Sequence, residues 1–446
     1  MLALWRFFRV CRVAFFESTY TPFSFKKPET YKPTFIWLSK SFVFASCICF
    51  CPYLQWGLEF VGIDFMPKFL GSLVGLLSIT SLLFVPKTRR FSVGFFVGVL
   101  WFYWVGLGLR YFDMSFLIPL GVLFMGFLIG AVFYIGLFCE CFLGHFVFLM
   151  ILSFFMPLGF DWFVLESFLA YSYFGVDKLS FAFMIVAIWV LITFRHYGKL
   201  LGVICLVFAL DMEAFREKPI VLPFKIKIVQ SEVAQDTRYE NLEKILDSHF
   251  KAIHQAIAEG DELVILPESA FPFVLDDYVS LKRELENLSY SIVIVAGSLR
   301  VERFNDTEIY YNSTYAFDKG KVSIIDKVLL VPFGEELPLF LQPLVQKFFS
   351  GIGGFTRGSG FGEFEIKGVK FQNAICYEGT SEKIYENYPP FVIVTSNNAW
   401  FVPSIEPILQ KNLIKYYARL YGSTILHSTN FSPSYIVTPF SDKRVD

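Results

Sequence analysis

Three residues in the C-terminal half carry side chains suited to work on an acyl carbon: Glu268, Lys327 and Cys376. Each stands just past a short apolar run that reads as a strand. Cys376 ends the run 371–375 in FQNAICYEGT and is the last of eight cysteines. The other seven all precede residue 206, in apolar surroundings. Glu268 follows the continuous apolar run 263–266 in LVILPESAFP, and Lys327 follows 322–325 and precedes VLLVPFGEE. Taken singly, each has an ordinary reading. A free cysteine is commonly a small buried hydrophobe, a glutamate after a strand caps a helix, and a lysine after a hairpin is solvated. Taken together they offer an acid–base group, a fixed cation and a nucleophile at carboxyl strand ends, where α/β sheets gather catalytic groups.

The elements that must position them begin near Pro219. Residues 224–229 alternate apolar and polar as a strand, and 241–259 have helical periodicity closed by Gly260. The run 263–266 reads as a strand buried on both faces, and 291–296 as another ending at Gly297. Residues 278–288 are helical. Runs 308–317 and 321–327 form a hairpin across Asp318-Lys319-Gly320, and 369–375 and 391–395 are further strands. A helix over 404–421 and a strand over 434–438 complete the pattern. Strands alternating with helices, then hairpins, predict an α/β sandwich with helices outside two sheets.

Ahead of this half the composition changes. The whole chain is 55% hydrophobic and 18% charged, with 56 phenylalanines and a net charge of −1. A soluble domain carries about 25% charged residues, so part of this chain is built for lipid. A basic patch for nucleic acid is lacking. Apolar runs fall at 35–55, 66–85, 91–109, 116–138, 145–160, 180–194 and 200–210. The first four match the roughly 20 residues a span needs, and the last three are short. The expected organisation is a basic, aromatic interfacial segment over 1–34, a multi-span helical membrane domain of about seven helices over 35–211, and an α/β domain over 219–446. Positive loops at 87–90 and 195–199 face the cytoplasm if the N-terminus does, and seven spans then put the second half outside. In a two-membrane bacterium that is the periplasm, and an isolated thiol suits such an oxidising compartment. Cys47, Cys49 and Cys51 fall on different helix faces, so no metal site is expected, and no cofactor is implied. The aromatic segment 159–175 reads as a re-entrant or interfacial arm, or as a plain loop.

Six ordered motifs then form one pattern: IVQSEV at Gln230, LVILPESAFP at Glu268, YYNST at Asn312, KVLLVPFGEELP at Lys327 and Glu335, AICYE at Cys376 and Glu378, and SNNAWF at Trp400. Over residues 224–438 this resembles the carbon–nitrogen hydrolase, or nitrilase, superfamily with its α-β-β-α sandwich. With the apolar front half it resembles the apolipoprotein N-acyltransferase family of bacterial envelopes; there the match is in hydrophobicity, topology and a loose GFDW. The resemblance implies a Glu268–Lys327–Cys376 triad in a monomeric inner-membrane enzyme. Its acyl donor is a membrane phospholipid, and its acceptor is the α-amino group of a diacylated apolipoprotein cysteine. Glu268 would serve as base, Lys327 would stabilise the oxyanion with help from the Tyr377 N–H, Glu378 and Glu335 would support Lys327 or orient the amine, and Asn312 would support the site. An apolar entrance would use Phe333, Leu337, Leu339, Phe340, Phe348, Phe349 and Phe355, with Trp400 also on the substrate side; residues 351–362 read as a mobile lid or as an ordinary irregular surface loop.

This chain departs from the family at Asn398, where an acid is usual, around residues 418–421, and in STNFSPSY. The family also adds more sheet and a closing transmembrane helix beyond this chain's last residue, which implies a short-tailed relative or a truncated chain. The alternative is a membrane-anchored nitrilase-type amidase that passes its acyl group to water. A non-catalytic receptor is disfavoured by the intact acid, amine and thiol.

Overall fold

The computed structural model describes residues 35–112, 114–154, 161–216, 218–236, 241–304, 307–331, 334–335 and 354–445. The N-terminal basic segment lies outside them, as do Phe333, Leu337, Leu339, Phe340, Phe348 and Phe349. The chain forms two compact units. One comprises residues up to 106, 116–154 and 163–215; the other comprises 107–115, 155–162 and everything from 216.

The first unit is helical. Helices α1 (Phe35–Ile48), α2 (Phe50–Phe60), α3 (Lys68–Leu83), α4 (Arg90–Phe102), α5 (Ile118–Gly136), α6 (Phe142–Leu152), α7 (Lys178–Thr193) and α8 (Tyr197–Phe208) fall on the seven apolar runs, two of them on the first. The α1–α2 pair bends by 66°, where Pro52 in the first turn of α2 cannot donate a backbone hydrogen bond. Among the described residues two stretches, Lys87–Tyr111 and Ser115–Gly136, are long and apolar enough to cross a membrane. The bent pair makes a third if it is one span, and four apolar helices are shorter. Helix α5 exposes Leu120, Leu123, Phe124 and Phe127, the reverse of a soluble helix and the pattern expected against lipid. Its other side meets α4 at Gly98, where an added Cβ would fall 2.4 Å from the Met125 carbonyl; a small residue lets the backbones touch. The buried Glu166 is satisfied by Lys178 and Ser153, each at 2.6 Å.

The second unit is an α-β-β-α sandwich. Its elements are β1 (Ile226–Ile228), α9 (Leu242–Glu259), β2 (Leu263–Ile265), β3 (Phe271–Val274), α10 (Val279–Leu288), β4 (Val293–Phe304), β5 (Thr307–Asp318), β6 (Lys321–Asp326), β7 (Glu363–Ile366), β8 (Val369–Ile375), β9 (Phe391–Asn397), α11 (Glu406–Tyr421), β10 (Thr424–Asn430), β11 (Ser434–Val437) and β12 (Asp442–Val445). One sheet runs β1-β2-β4-β5-β6 with β3 beside β4, and the other runs β12-β11-β10-β9-β8-β7.

Side-chain alternation explains why β2 and β4 read as unbroken apolar runs. Leu263, Ile265, Val293 and Val295 point between the sheets toward Phe371, Ile393 and Leu426. Val264, Ile294 and Ala296 point the other way, into a core with Ile253 and Ala256 of α9 and Leu285 of α10. The sequence reading of 291–296 as a short strand is corrected: β4 runs on to Phe304, through the polar Arg300, Glu302 and Arg303, because each pairs with β5 along the edge-ward half of the hairpin. Strands β3, β7, β10 and β12 were not anticipated. Three of them are four residues long, and β10 is rich in Ser, Thr and Asn, so neither length nor hydrophobicity announces them.

Candidate active site

Glu268 stands three residues past β2. The chain turns sharply after it, with Ser269 at φ +55, and β4 passes so close that a Cβ on Gly297 would lie 2.7 Å from the Glu268 Cα. Only glycine permits that approach. The carboxylate is 7% exposed. Its Oε1 accepts from Asn312 Nδ2 at 2.8 Å and faces Lys327 Nζ at 3.4 Å, while Oε2 accepts from the Asn397 N–H at 2.7 Å. Asn397 ends β9, and its side chain is locked by Asn430 and Gln235.

Lys327 follows β6, its N–H donating to the Asn312 carbonyl at 2.8 Å. The side chain is 1% exposed. Its Nζ lies 2.7 Å from Glu335 Oε2, and the same Asn312 amide donates to Glu335 Oε1 at 2.9 Å. One amide and one ammonium thus tie two carboxylates together. Burial opposes the lysine's charge, but Glu335, Glu268 and Cys376 outweigh it and hold its pKa above the ordinary range. A buried ammonium is tolerable only when paired in this way.

Cys376 ends β8 in a left-handed conformation, φ +53, and opens a short 3₁₀ turn over Cys376–Thr380. A non-glycine residue there carries about 1–3 kcal/mol of strain that the surrounding structure must impose. The sharp turn aims the side chain off the end of the strand. The thiol is 8% exposed. Burial raises its pKa well above the ordinary range, the Glu268 charge adds to that, and the Lys327 charge pulls it back. In the resting site sulfur therefore keeps its proton until a base removes it.

Glu378 joins the backbone before Cys376 to the backbone after Lys327. Its Oε1 accepts from the N–H groups of Val328 and Leu329, just past Lys327, and its Oε2 accepts from the N–H of Ile375, just before Cys376. The expectation that Glu378 and Glu335 support Lys327 divides into two tasks. Glu335 touches the ammonium, whereas Glu378 clamps the backbones.

Tyr377 turns its hydroxyl to Asp161 Oδ1 at 3.0 Å, and Trp162 Nε1 donates to Thr380 Oγ1 at 2.8 Å. The Asp-Trp of the loose GFDW motif thus braces the turn after the cysteine. Burial raises Asp161 to about 6 despite the Tyr377 bond. The half-buried Phe355 ties its N–H to the Glu335 carbonyl at 3.2 Å. In the same stretch Thr356 bonds Tyr310, and Gly358 bonds Lys327, both at 2.8 Å through the backbone. Trp400 packs edge-on against Tyr111 at 5.1 Å, and its carbonyl accepts from Arg110.

One residue beside the cysteine was not anticipated from sequence. Gln410, fully buried on α11, directs Nε2 at the Cys376 sulfur at 3.9 Å. Its Oε1 accepts from Asn398 Nδ2 at 3.0 Å, and the same Asn398 amide reaches Ser432 Oγ. The structure places Asn398, one of the departures from the family, behind Cys376 through Gln410. The signal available was a pair of amides, one at 398 and another twelve residues on. Among the described residues no group of three metal-ligating side chains forms a metal site.

Comparison with known proteins covers both units. Residues 34–212 match the apolipoprotein N-acyltransferase integral membrane domain, and residues 225–418 match the carbon-nitrogen hydrolase domain. The apolipoprotein N-acyltransferase of Helicobacter hepaticus is 58% identical over 397 residues, covering 88% of this chain and 99% of that protein. Those of Wolinella succinogenes and Helicobacter pylori are each 40% identical, covering 82% and 83% of this chain and 89% and 88% of theirs. With a match of that extent across both the helical unit and the sandwich, the chain belongs to the apolipoprotein N-acyltransferase family.

Proposed function

We propose that this chain transfers an acyl chain from a membrane phospholipid to the α-amino group of the diacylglyceryl-modified cysteine at a lipoprotein N-terminus, through a thioester on Cys376. The observation that carries the reading is the buried Glu268–Lys327 pair at 3.4 Å, whose charges both act on the Cys376 sulfur. Glu268 takes the thiol proton as sulfur attacks the ester carbonyl. The oxyanion that forms is stabilised by the Lys327 ammonium and the backbone N–H of Tyr377. The lysophospholipid leaves with the proton from Glu268, and the acyl group stays on sulfur. A thioester suits the second half, because an amine displaces a thiolate readily. Apolar helices in the same chain suit substrates that never leave the bilayer.

Positive loops at Lys87, Arg89 and Arg90 and at Arg195 and Lys199 support an inner-membrane enzyme of about seven spans with its sandwich in the periplasm. The test is a product assay with the full-length protein in phospholipid vesicles and a synthetic diacylated lipopeptide. A triacylated peptide together with lysophospholipid is the expected outcome. Free fatty acid with an unmodified peptide would instead identify a hydrolase.

A further inference from the structure

The first turn of α11 holds an acid that the reaction described above does not use. Glu406 is 1% exposed, and its Oε2 has no hydrogen-bond partner. Its N–H is taken up by Ser404 Oγ at 3.1 Å, so the backbone donor is satisfied while one carboxyl oxygen is not. Glu406 and Gln410 are four residues apart on one helix and share a face. Gln410 on that face reaches the Cys376 sulfur, so Glu406 stands on the side of the helix that covers the nucleophile. Its charge is felt at Cys376, and the Glu268 charge is felt at Glu406.

A carboxyl buried without a partner costs free energy in the empty enzyme. An acid at the first position of a helix is ordinary when it faces water and is stabilised by the helix dipole; this one faces inward. Lys327 does not answer it, being already paired with Glu335 and Glu268. Glu268 and Glu335 thus share the one ammonium, while an oxygen of Glu406 on the helix over Cys376 has no partner. The group missing from this arrangement is a second nitrogen donor.

We propose that Glu406 is the receptor for the acceptor's α-amino group, its free oxygen taking an N–H of the incoming nitrogen beside the acylated Cys376. The inference rests on the thioester reading above. The α-amino group arrives largely as an ammonium, its ordinary pKa being about 8. In the transfer the nitrogen gives one proton to Glu268 and attacks the thioester carbonyl. The C–N bond forms, the C–S bond breaks with its electron pair returning to sulfur, and a second nitrogen proton ends on the thiolate. The third stays on the amide. Glu406 holds the nitrogen throughout, and accepts a hydrogen bond from it whether or not its own carboxyl is ionised.

The test separates the two half-reactions, using full-length wild type, Glu406→Gln and Glu406→Ala in vesicles of phosphatidylethanolamine and phosphatidylglycerol. Acyl loading of Cys376 is followed by intact mass without acceptor. Release is then measured to a diacylated lipopeptide with a free amine, and separately to hydroxylamine, a small neutral nucleophile. The expected result is an acceptor KM raised about tenfold in Glu406→Gln and further in Glu406→Ala, a larger change than either variant shows in loading or in release to hydroxylamine. Glu406→Gln keeps the size and helical position of the residue, so its folding is preserved. An unchanged acceptor KM in both variants overturns the proposal, as does release to hydroxylamine that slows as much as release to the peptide. A wild-type protein that never loads Cys376 would refute the thioester reading itself.

Discussion

The Lys327 ammonium lies 2.7 Å from Glu335 and 3.4 Å from Glu268, so the supporting carboxylate holds the lysine more tightly than the proposed base does. That asymmetry leaves Glu268 room to exchange protons while the cation stays fixed by Glu335 and by the Asn312 carbonyl on its own backbone.

Replacing Lys327 by Met keeps the stem and removes the charge. Glu268 and Glu335 are then two buried carboxylates without a counter-ion, a situation that costs about 3–5 kcal/mol when one partner of a buried pair is lost. The expected result is a clear drop in melting temperature and a loss of acyl transfer of about a thousandfold or more. Combining Lys327→Met with Glu335→Gln should recover part of the stability and none of the activity, as read by thermal melting and product mass. Normal transfer by the single variant would remove the lysine from the mechanism.

Glu378 supplies a pH signature. Burial lifts its pKa from 4.5 to about 7, against the pull of its backbone donors and Lys327. The folded state thus binds this proton more tightly than the unfolded chain between those two values. Stability from this group is present below the unfolded pKa, falls as pH rises toward 7, and is level above it. The size is on the order of 3 kcal/mol. Glu378→Gln should flatten that slope in denaturation measured from pH 4 to 8. It should also lower stability throughout, because an amide presents N–H groups to N–H groups.

Gln410 is expected to tune the thiol. Its carbonyl is occupied by Asn398, so its N–H must face sulfur, where it favours the thiolate. Glu268, Glu335, Glu406 and Lys327 also act on that sulfur. In Gln410→Ala alkylation of Cys376 by iodoacetamide should slow several-fold at fixed pH and its pH profile should move upward. Asn398→Asp should do the same at a distance, since a carboxylate accepts where the asparagine donates and turns the Gln410 amide over. A profile identical to wild type in both variants would show that the chain Asn398–Gln410–Cys376 is packing alone.

Much of this was legible in the residues. The continuous apolar run at 263–266 announced the strand that leads to Glu268, because a strand between two layers must be apolar on both faces, and 371–375 read as the strand before Cys376 in spite of Gln372 and Asn373. The hairpin before Lys327 showed in its alternation and its Asp-Lys-Gly turn. Gln410 and Glu406 did not show, because a buried polar residue on a helix looks like a solvated one until the helix is seen to be covered. Asn312 was named for support; its bridging of two carboxylates became visible only when β5 brought it beside β6. The two roles of Glu335 and Glu378 were likewise inseparable in sequence, since both are acids near the lysine or the cysteine.

The central claim is that acyl transfer passes through sulfur, and intact-mass analysis of the protein after incubation with phospholipid alone tests it most directly. The predicted result is one added acyl chain that maps to Cys376, is released by hydroxylamine, and is missing in Cys376→Ala. Transfer to a diacylated lipopeptide by Cys376→Ala at the wild-type rate, or an acyl adduct on another residue, would contradict the account.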